Sequence, residues 1–180
     1  MSTKVSVFIA TSLDGFIARK DGDIDWLNDA NATVPEGEDC GYQSFIASVD
    51  VLIMGRKTYE QVLSFGPWPY GQIRVIVMSR SPIQFPVELP ACVTHSAEMP
   101  RMLYDRLVNE GVQHLYIDGG VTIQRFFAAG LIDELTITVI PILLGEGTPL
   151  FGPLERDISL TLIRSRSYDF GFIQLQYAVT

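Results

Sequence analysis

The sequence predicts an α/β fold in which a largely parallel sheet is covered by helices on both faces and ends in an antiparallel hairpin. Short, β-rich apolar runs alternate with segments of helical spacing along most of the chain. This alternation is typical of parallel sheets, because a crossover helix must connect each strand to the next. Two more strand-like runs close the chain, and only a short turn at residues 169–171 separates them, as in a hairpin.

The predicted strands are short and lie between turn signals rich in glycine, proline or aspartate. The first strand ends at such a signal, which contains Asp14 and Gly15. Residues 19–39 are acidic and are expected to form a loop, apart from residues 24–27. Strands are expected at residues 4–10, 51–54, 73–78, 91–94, 113–117, 135–142, 158–168 and 172–179.

The predicted helices lie between these strands. One of them is indicated by the helical spacing of Met99, Met102, Leu103 and Leu107, with Gly111 as its stop signal. Helices are expected at about residues 42–49, 57–63, 99–111 and 120–130.

Length and composition restrict the class of protein. A chain of 180 residues favours one domain over residues 1–180, and 47% hydrophobic residues can bury a sizeable core. The apolar runs are too short to cross a membrane, so we expect no membrane partner. The N-terminus lacks the features of a secretory signal, and two cysteines cannot form a disulfide framework. We therefore expect a reduced, cytoplasmic protein.

The charge distribution indicates the class of ligand. Thirteen basic and 21 acidic residues give a net charge of −8, which makes nucleic acid an improbable partner. Residues 51–82 nevertheless hold four basic residues against one acidic residue. Such an island favours a small anionic ligand, although solvated side chains can also cluster by chance.

Two strand-to-helix turns are suited to phosphate binding. Gly55, Arg56, Lys57 and Thr58 form the first turn, and residues 119–123 form the second. Glycine lets a phosphate approach the backbone, where the free N–H groups of a helix N-terminus point outward. Glycine is also ordinary at any tight turn, but two such turns, each after a buried strand, favour a dinucleotide.

A third element, Ser79-Arg80, follows the predicted strand at residues 73–78. Serine and arginine at a strand end could bind a phosphate monoester, because a guanidinium makes paired hydrogen bonds to it. This pair favours NADP over NAD, while an exposed turn is the simpler alternative.

Together these residues resemble the dihydrofolate reductase superfamily, and most closely its riboflavin-biosynthesis reductase branch. Residues 12–18, 54–60 and 117–145 carry the resemblance, which extends over nearly the whole chain. It implies a dihydrofolate reductase-like three-layer α/β/α fold and an NADPH-dependent reductase. The resemblance assigns to the cofactor Ala10, Ile17, Gly55, Arg56, Lys57, Thr58, Ser79, Arg80, Gly119, Gly120, Val121, Thr122 and Ile123.

The resemblance also implies a substrate pocket near the helix that contains Tyr42. Trp26 matches a family tryptophan beside that pocket, although a core aromatic residue is the alternative. The substrate would be a small nitrogen heterocycle or a ribosylaminopyrimidine, and the alternatives are a dihydrofolate or pterin reductase and a non-catalytic NADPH-binding module.

Hydride transfer to such a substrate needs a proton donor, for which a buried carboxyl group is suited. The candidates are Asp39, or Glu38 if the alignment slips by one residue, and Asp118. Asp14 is a third candidate, although its position before Gly15 favours a turn-capping role.

Metal-dependent hydrolysis is disfavoured by the sequence. His95 and His114 are the only histidines and do not share a ligand spacing, so we expect no metal. Cys40 has no evident basic partner, which also disfavours a cysteine nucleophile.

The riboflavin-type domains tend to pair through their closing strands, which implies a homodimer. The apolar residues that could form this surface are Leu160, Leu162, Phe172, Ile173 and Leu175.

Overall fold

Strands and helices alternate along the computed structural model, which describes residues 2–180. The strands are β1 (Lys4–Ser12), β2 (Phe16–Ala18), β3 (Val51–Gly55), β4 (Arg74–Met78), β5 (Val93–Ser96), β6 (His114–Asp118), β7 (Glu134–Ile140), β8 (Thr148–Pro149), β9 (Leu160–Ser167) and β10 (Ile173–Val179). The helices are α1 (Asp25–Asn31), α2 (Tyr42–Ile46), α3 (Arg56–Ser64), α4 (Pro100–Asn109) and α5 (Gly120–Ala128).

Eight of these strands form one sheet in the order β5-β4-β3-β6-β1-β7-β10-β9. The first six are parallel to one another, whereas β10 runs antiparallel to both β7 and β9. This arrangement confirms the predicted mixed sheet with its C-terminal hairpin. The parallel strands all end at one edge of the sheet, so the turns that follow them lie side by side.

Helices cover both faces of the sheet and form the outer layers of a three-layer α/β/α fold. Along β3, Val51 and Ile53 pack in one core with α4 and α5, while Leu52 and Met54 pack in a second core with α2 and α3. Successive strand residues point to opposite faces, so a strand buried on both sides is apolar throughout. This explains why the short apolar runs of the sequence are strands of the sheet.

Three elements differ from the sequence-based prediction. Helix α1 lies within residues 19–39, which were expected to form a loop apart from residues 24–27. Its segment is polar, and Trp26 is its one buried residue, so the sequence shows no amphipathic repeat there. Strands β2 and β8 form a separate two-stranded sheet and are too short to produce a recognisable pattern.

Helix α4 has a narrower buried stripe than its sequence indicates. Leu103 and Leu107 are fully buried, whereas Met99 and Met102 are mostly exposed. The helix was therefore predicted correctly, but of the four residues that indicated it only the two leucines lie in the core.

His114 is a packed residue of the core. Its ring lies 2.8 Å from Ser6 Oγ and 2.9 Å from the Ser48 carbonyl oxygen, and burial lowers its pKa. Within residues 2–180, no group of three His, Cys, Asp or Glu side chains could hold a metal ion. No helix in the same range is long and apolar enough to cross a membrane.

Candidate functional site

The two glycine turns identified in the sequence lie against each other. Strands β3 and β6 are neighbours in the sheet, so α3 and α5 begin side by side. A Cβ atom added to Gly55 would lie 2.8 Å from Thr122 Oγ1, and one added to Gly119 would overlap Thr58 Oγ1. Gly119 also has a φ of +91°, which side chains rarely tolerate. Each of these two turns, which we call the glycine corners, therefore needs glycine so that the other helix can approach.

Both helices begin without a side-chain cap among the described residues. Their first-turn N–H groups are therefore available to a ligand, and the positive ends of the two helix dipoles lie together. Two adjacent helix N-termini of this kind can bind an extended anion such as a pyrophosphate.

The remaining residues of the second turn differ in their accessibility. Val121 is exposed, whereas Thr122 and Ile123 are buried. Ile123 packs in the core with Phe126, and its N–H donates to the Gly119 carbonyl. This corrects the prediction that Ile123 holds the pyrophosphate, because neither its side chain nor its amide is free.

Arg56 has a different role from the one predicted for it. Its Nε donates to Ser79 Oγ, and its Nη2 donates to the carbonyl groups of Ser81 and Pro82, each at 3.0 Å. These bonds tie the first turn of α3 to the chain that leaves β4. Arg56 therefore positions this segment through Nε and Nη2, and only its Nη1 is left to meet a phosphate, so its predicted role as a direct phosphate ligand stays a prediction.

The exposed cations near the corners are Lys57 in the first turn of α3 and Arg80 after β4. Arg74, which contributed to the positive island in the sequence, lies at the opposite end of β4 and donates to Glu110 at 2.6 Å. The His95 ring donates from Nε2 to the Ser79 carbonyl at 2.7 Å. Within residues 51–82, the positive charge that no carboxylate pairs with thus lies at the strand ends.

The predicted cofactor residues form a row along this edge of the sheet. Ser79, Gly55, Gly119 and Ala10 lie at or near the carboxyl ends of β4, β3, β6 and β1, which are successive neighbours. Three strand spacings correspond to roughly 14 Å. Ile17 lies over the second corner, since a Cβ on Gly120 would approach its Cδ1 to 2.9 Å.

Asp118 is the last residue of β6 and lies on the same face of the sheet as Tyr116 and Phe8. Burial raises its pKa to about 6, although a hydrogen bond from the Gly119 N–H opposes this. The residue keeps a partly exposed surface while protein atoms surround most of it. No cation pairs with it among the described residues. A carboxyl group in this setting can hold a proton close to neutral pH.

Three tyrosines surround Asp118. Burial raises the pKa of Tyr42 to about 12, and the Asp118 charge adds to the shift. Burial and the same charge also raise the pKa of Tyr70 and Tyr116. All three hydroxyl groups therefore stay protonated. The Tyr116 hydroxyl already donates to the Phe8 carbonyl at 3.0 Å, so those of Tyr42 and Tyr70 are left to donate hydrogen bonds into this region.

A cavity of about 450 Å³ lies beside this cluster, between β1, β7 and the segment that joins α1 to α2. Tyr42 lines it as predicted, together with Phe8, Ala10 and Phe172. Phe8 packs edge-on against Tyr42, with 5.8 Å between the ring centroids. The size and aromatic walls suit a flat heterocycle.

Trp26 lies behind the cavity wall. It is buried in a cluster with Ile140, Tyr168 and Phe172, and two members of that cluster line the cavity. Its indole N–H has no hydrogen-bond partner among the described residues. Trp26 is therefore a core aromatic residue, and it supports the residues that line the cavity without lining it itself.

Asp39 stands at the cavity rim in an exposed position. It accepts hydrogen bonds from the Gln43 N–H at 2.7 Å and the Gly41 N–H at 2.9 Å. These bonds hold its pKa below the ordinary value, so Asp39 is ionised at neutral pH and orients the start of α2. This corrects its assignment as the proton donor and favours Asp118 for that role.

Asp14 was expected to cap its own turn, and instead it holds two loops together. It accepts hydrogen bonds from Ser12 Oγ, the Leu144 N–H and the Gly145 N–H. The bond from Ser12 is the main reason that its pKa is lowered. Asp14 is therefore ionised and unsuited to proton donation.

Several cavity residues were not identified from the sequence, among them Phe8, Thr138 and Phe172. These residues lie on strands or loops that are far apart in the chain, and none of them carries a charge. The alternation of β1 could have indicated Phe8, because it shares a face with Ala10.

Comparison with known proteins shows the family of this chain. Residues 3–173 match the model of the RibD C-terminal domain. The chain belongs to the RibD C-terminal domain family. It is 39% identical to the uncharacterized protein YwjB of Bacillus subtilis over 180 residues, which cover 98% of each chain.

Solved structures of this family have the same fold. A putative riboflavin biosynthesis protein from Shewanella sp. PV-4 is 41% identical, with a TM-score of 0.92 and 99% of each chain covered. A bifunctional deaminase and 5-amino-6-(5-phosphoribosylamino)uracil reductase from Thermotoga maritima is 15% identical, with a TM-score of 0.71. The match covers 99% of this chain and 57% of the Thermotoga protein.

The paired corners predict an unusual sensitivity at Gly119. Gly119→Ala combines a positive φ with the overlap on Thr58, and we expect it to lower the free energy of unfolding by about 3 kcal/mol. Gly22→Ala is the matched control, because Gly22 has a similar φ of +89° with open space around it, and we expect a loss of about 1 kcal/mol. Urea unfolding measures both, and equal losses would contradict the packing argument.

The raised pKa of Asp118 predicts a pH-dependent destabilisation. The folded protein holds a proton on Asp118 that the unfolded chain loses near pH 4, so the free energy of unfolding falls as pH rises from about 4 to about 6. We expect Asp118→Asn to be more stable than the native protein by about 2 kcal/mol at pH 8. Urea unfolding at pH 4.5 and 8 should show a smaller difference at the lower pH. A difference that does not depend on pH would refute the buried-carboxyl assignment.

Proposed function

We propose that this protein is an NADPH-dependent reductase that transfers hydride to a carbon of a small nitrogen heterocycle or a ribosylaminopyrimidine. One observation carries the proposal: a carboxyl group with a raised pKa lies directly before one of two uncapped helix N-termini, and its charge acts on Tyr42, which lines an aromatic cavity. Membership of a reductase-domain family supports an oxidoreductase. The two cysteines are free thiols, in keeping with the cytoplasm that we propose as its location.

The residues of the sheet edge fit the proposed cofactor. The N–H groups of Lys57, Thr58, Gly120 and Val121 would bind its pyrophosphate, while Ser79 and Arg80 would bind the 2′-phosphate. Ala10 and Ile17 would flank the nicotinamide ring. When bound, the cofactor supplies the hydride. The cavity would hold the substrate, and its aromatic walls would keep water away from it.

Asp118 would supply the proton. At pH 7 a group with a pKa of about 6 is partly protonated, so it can donate to a substrate nitrogen and regain a proton from solvent. Tyr42 lines the cavity and lies close enough to Asp118 for the Asp118 charge to raise its pKa. Its phenol can hydrogen-bond the same substrate edge and orient it.

Arg80 provides the test of cofactor choice. We expect Arg80→Ala to weaken NADPH binding by at least tenfold and to leave NADH binding nearly unchanged, because only NADPH carries the 2′-phosphate. Titration calorimetry measures both affinities. Arg156→Ala removes an equally exposed arginine beyond β8 and serves as the control. Equal losses for the two nucleotides would refute the 2′-phosphate role, and no NADPH binding by the native protein would refute the proposed function.

Asp118 provides the test of the chemistry. We expect Asp118→Asn to lower kcat by about 100-fold while NADPH binding is retained, because the amide cannot donate an acidic proton. In the native protein kcat should fall above pH 6, as the protonated fraction of Asp118 declines. Asp105→Asn, on the exposed face of α4, is the control. An unchanged pH profile in Asp118→Asn would eliminate Asp118 as the donor, and NADPH binding without any turnover would support a binding module.

The closing hairpin offers a surface for the homodimer that we propose. All residues of the edge strand β9 are exposed, and Leu162, Ile163 and Ile173 are each about half exposed. Of the other predicted surface residues, Leu160 is exposed, whereas Phe172 is buried and Leu175 is partly buried. An open apolar edge strand favours association with a second chain.

We expect Leu162→Asp to convert the dimer into a monomer in light scattering after size exclusion. Met102→Asp, which changes an exposed apolar residue on α4, should leave the mass unchanged. A native protein of monomer mass would refute the dimer.

A further inference from the structure

The glycine corners and the substrate cavity carry opposite electric charge. The corner region has Lys57 and Arg80 at the strand ends, together with two helix N-termini. The rim of the substrate cavity instead carries three carboxylates from one loop, those of Glu36, Glu38 and Asp39. Of the cavity-lining residues within the described range 2–180, none is basic.

Backbone hydrogen bonds fix two of these carboxylates in the loop. Asp39 is ionised and bonded to the amides that begin α2, as described above. Glu38 accepts a hydrogen bond from the Cys40 N–H at 2.7 Å. Glu36 is exposed at the same rim. A group that enters the cavity therefore passes a negative rim held by backbone hydrogen bonds.

Arg166 on β9 is the basic residue that comes nearest to this rim. Its guanidinium lies 3.6 Å from Glu38 Oε2 and stacks on the Tyr168 ring at 4.4 Å. It lines a shallow neighbouring depression whose other charged residues are Glu36, Glu38 and Asp169. The single positive charge is thus outnumbered, and it is already paired with a carboxylate.

The interior of the cavity offers neutral contacts. Phe8, Leu27 and Phe172 form apolar walls, and Asn31 and Thr138 supply amide and hydroxyl groups. Thr138 Oγ1 accepts a hydrogen bond from the buried Gln174 amide, which leaves its own hydroxyl proton free to donate. A neutral or cationic ring with hydrogen-bonding edges fits these walls. A phosphate dianion would meet like charges at the rim and no counter-ion inside.

We propose that the substrate of this protein carries no phosphate group and is a flat, neutral or cationic nitrogen heterocycle, free or as a simple riboside. The inference rests on the proposed reductase function and narrows its substrate class. It separates this chain from the Thermotoga enzyme, whose name specifies a phosphorylated substrate. Glu36, Glu38 and Asp39 are the residues that determine this specificity.

The test compares matched ligands with and without phosphate. One pair is 5-amino-6-(5-phosphoribosylamino)uracil and its dephosphorylated riboside, and the second is 6-hydroxymethylpterin and its phosphate ester. Equilibrium binding is followed by tryptophan fluorescence without cofactor, since Trp26 lies behind the cavity wall. We expect the unphosphorylated member of at least one pair to bind about tenfold more tightly than its ester.

Charge reversal at the rim connects this preference to the carboxylates. Glu36→Lys should reduce the preference to less than about threefold, because it replaces a repulsive charge with an attractive one. Glu88→Lys makes the same change at an exposed position between β4 and β5, near the opposite edge of the sheet, and should leave the preference unchanged.

Three outcomes would overturn the inference. These are equal or tighter binding of the phosphate esters, an unchanged preference in Glu36→Lys, and no binding of any of the four ligands. Failure of the proposed function is a separate observation, because it would appear as a ligand that binds with the expected preference while NADPH is neither bound nor oxidised.

Discussion

The close approach of two helix N-termini is the constraint on which the candidate site depends. Strands β3 and β6 lie next to each other, so the turns that follow them share one space. Gly55 leaves room for Thr122, and Gly119 leaves room for Thr58. A side chain at either corner would push the helices apart. The glycines therefore serve protein packing directly, and the packing brings together the two sets of free amides that we propose as the anion site.

The same edge of the sheet shows a conflict between stability and function. Asp118 is surrounded by protein at the end of a buried strand, and its ionisation is opposed by the loss of water. A neutral side chain would be the more stable choice at this position. Retention of a carboxyl group there is understandable if the proton that it holds is used, since functional sites often keep groups that lower stability.

Charge is arranged to suit the two ligands that we propose. Positive groups and helix dipoles lie where we propose that the phosphates of a nucleotide bind, and carboxylates lie at the rim of the cavity that we propose for the substrate. The two regions come from different parts of the chain, residues 55–80 and 36–39. Under this proposal, the opposite charges would keep each ligand out of the other's region and orient both before any chemistry occurs.

The fold was largely predictable because its signals are local. Each buried strand appears as a short apolar run, and each crossover helix follows it, so the order of elements and the sheet class follow from the pattern. Helix α1 was missed because one buried residue, Trp26, gives no periodicity. Strands β2 and β8 were missed because a pair of two or three residues carries no pattern of its own.

The sequence by itself determined the parallel sheet, its closing hairpin, the two glycine corners and the family resemblance, since these depend on neighbouring residues. Only the tertiary structure decided which charged groups are free. Arg56 and Asp39 have the right chemistry for a phosphate ligand and a proton donor, but Arg56 donates from Nε and Nη2 to the chain after β4, and Asp39 accepts from the amides that begin α2. Asp118 is the donor that we propose, because protein surrounds it without a cation. The burial of Asp118 and the bonds of Arg56 arise from residues far apart in the chain, so no local pattern can reveal them.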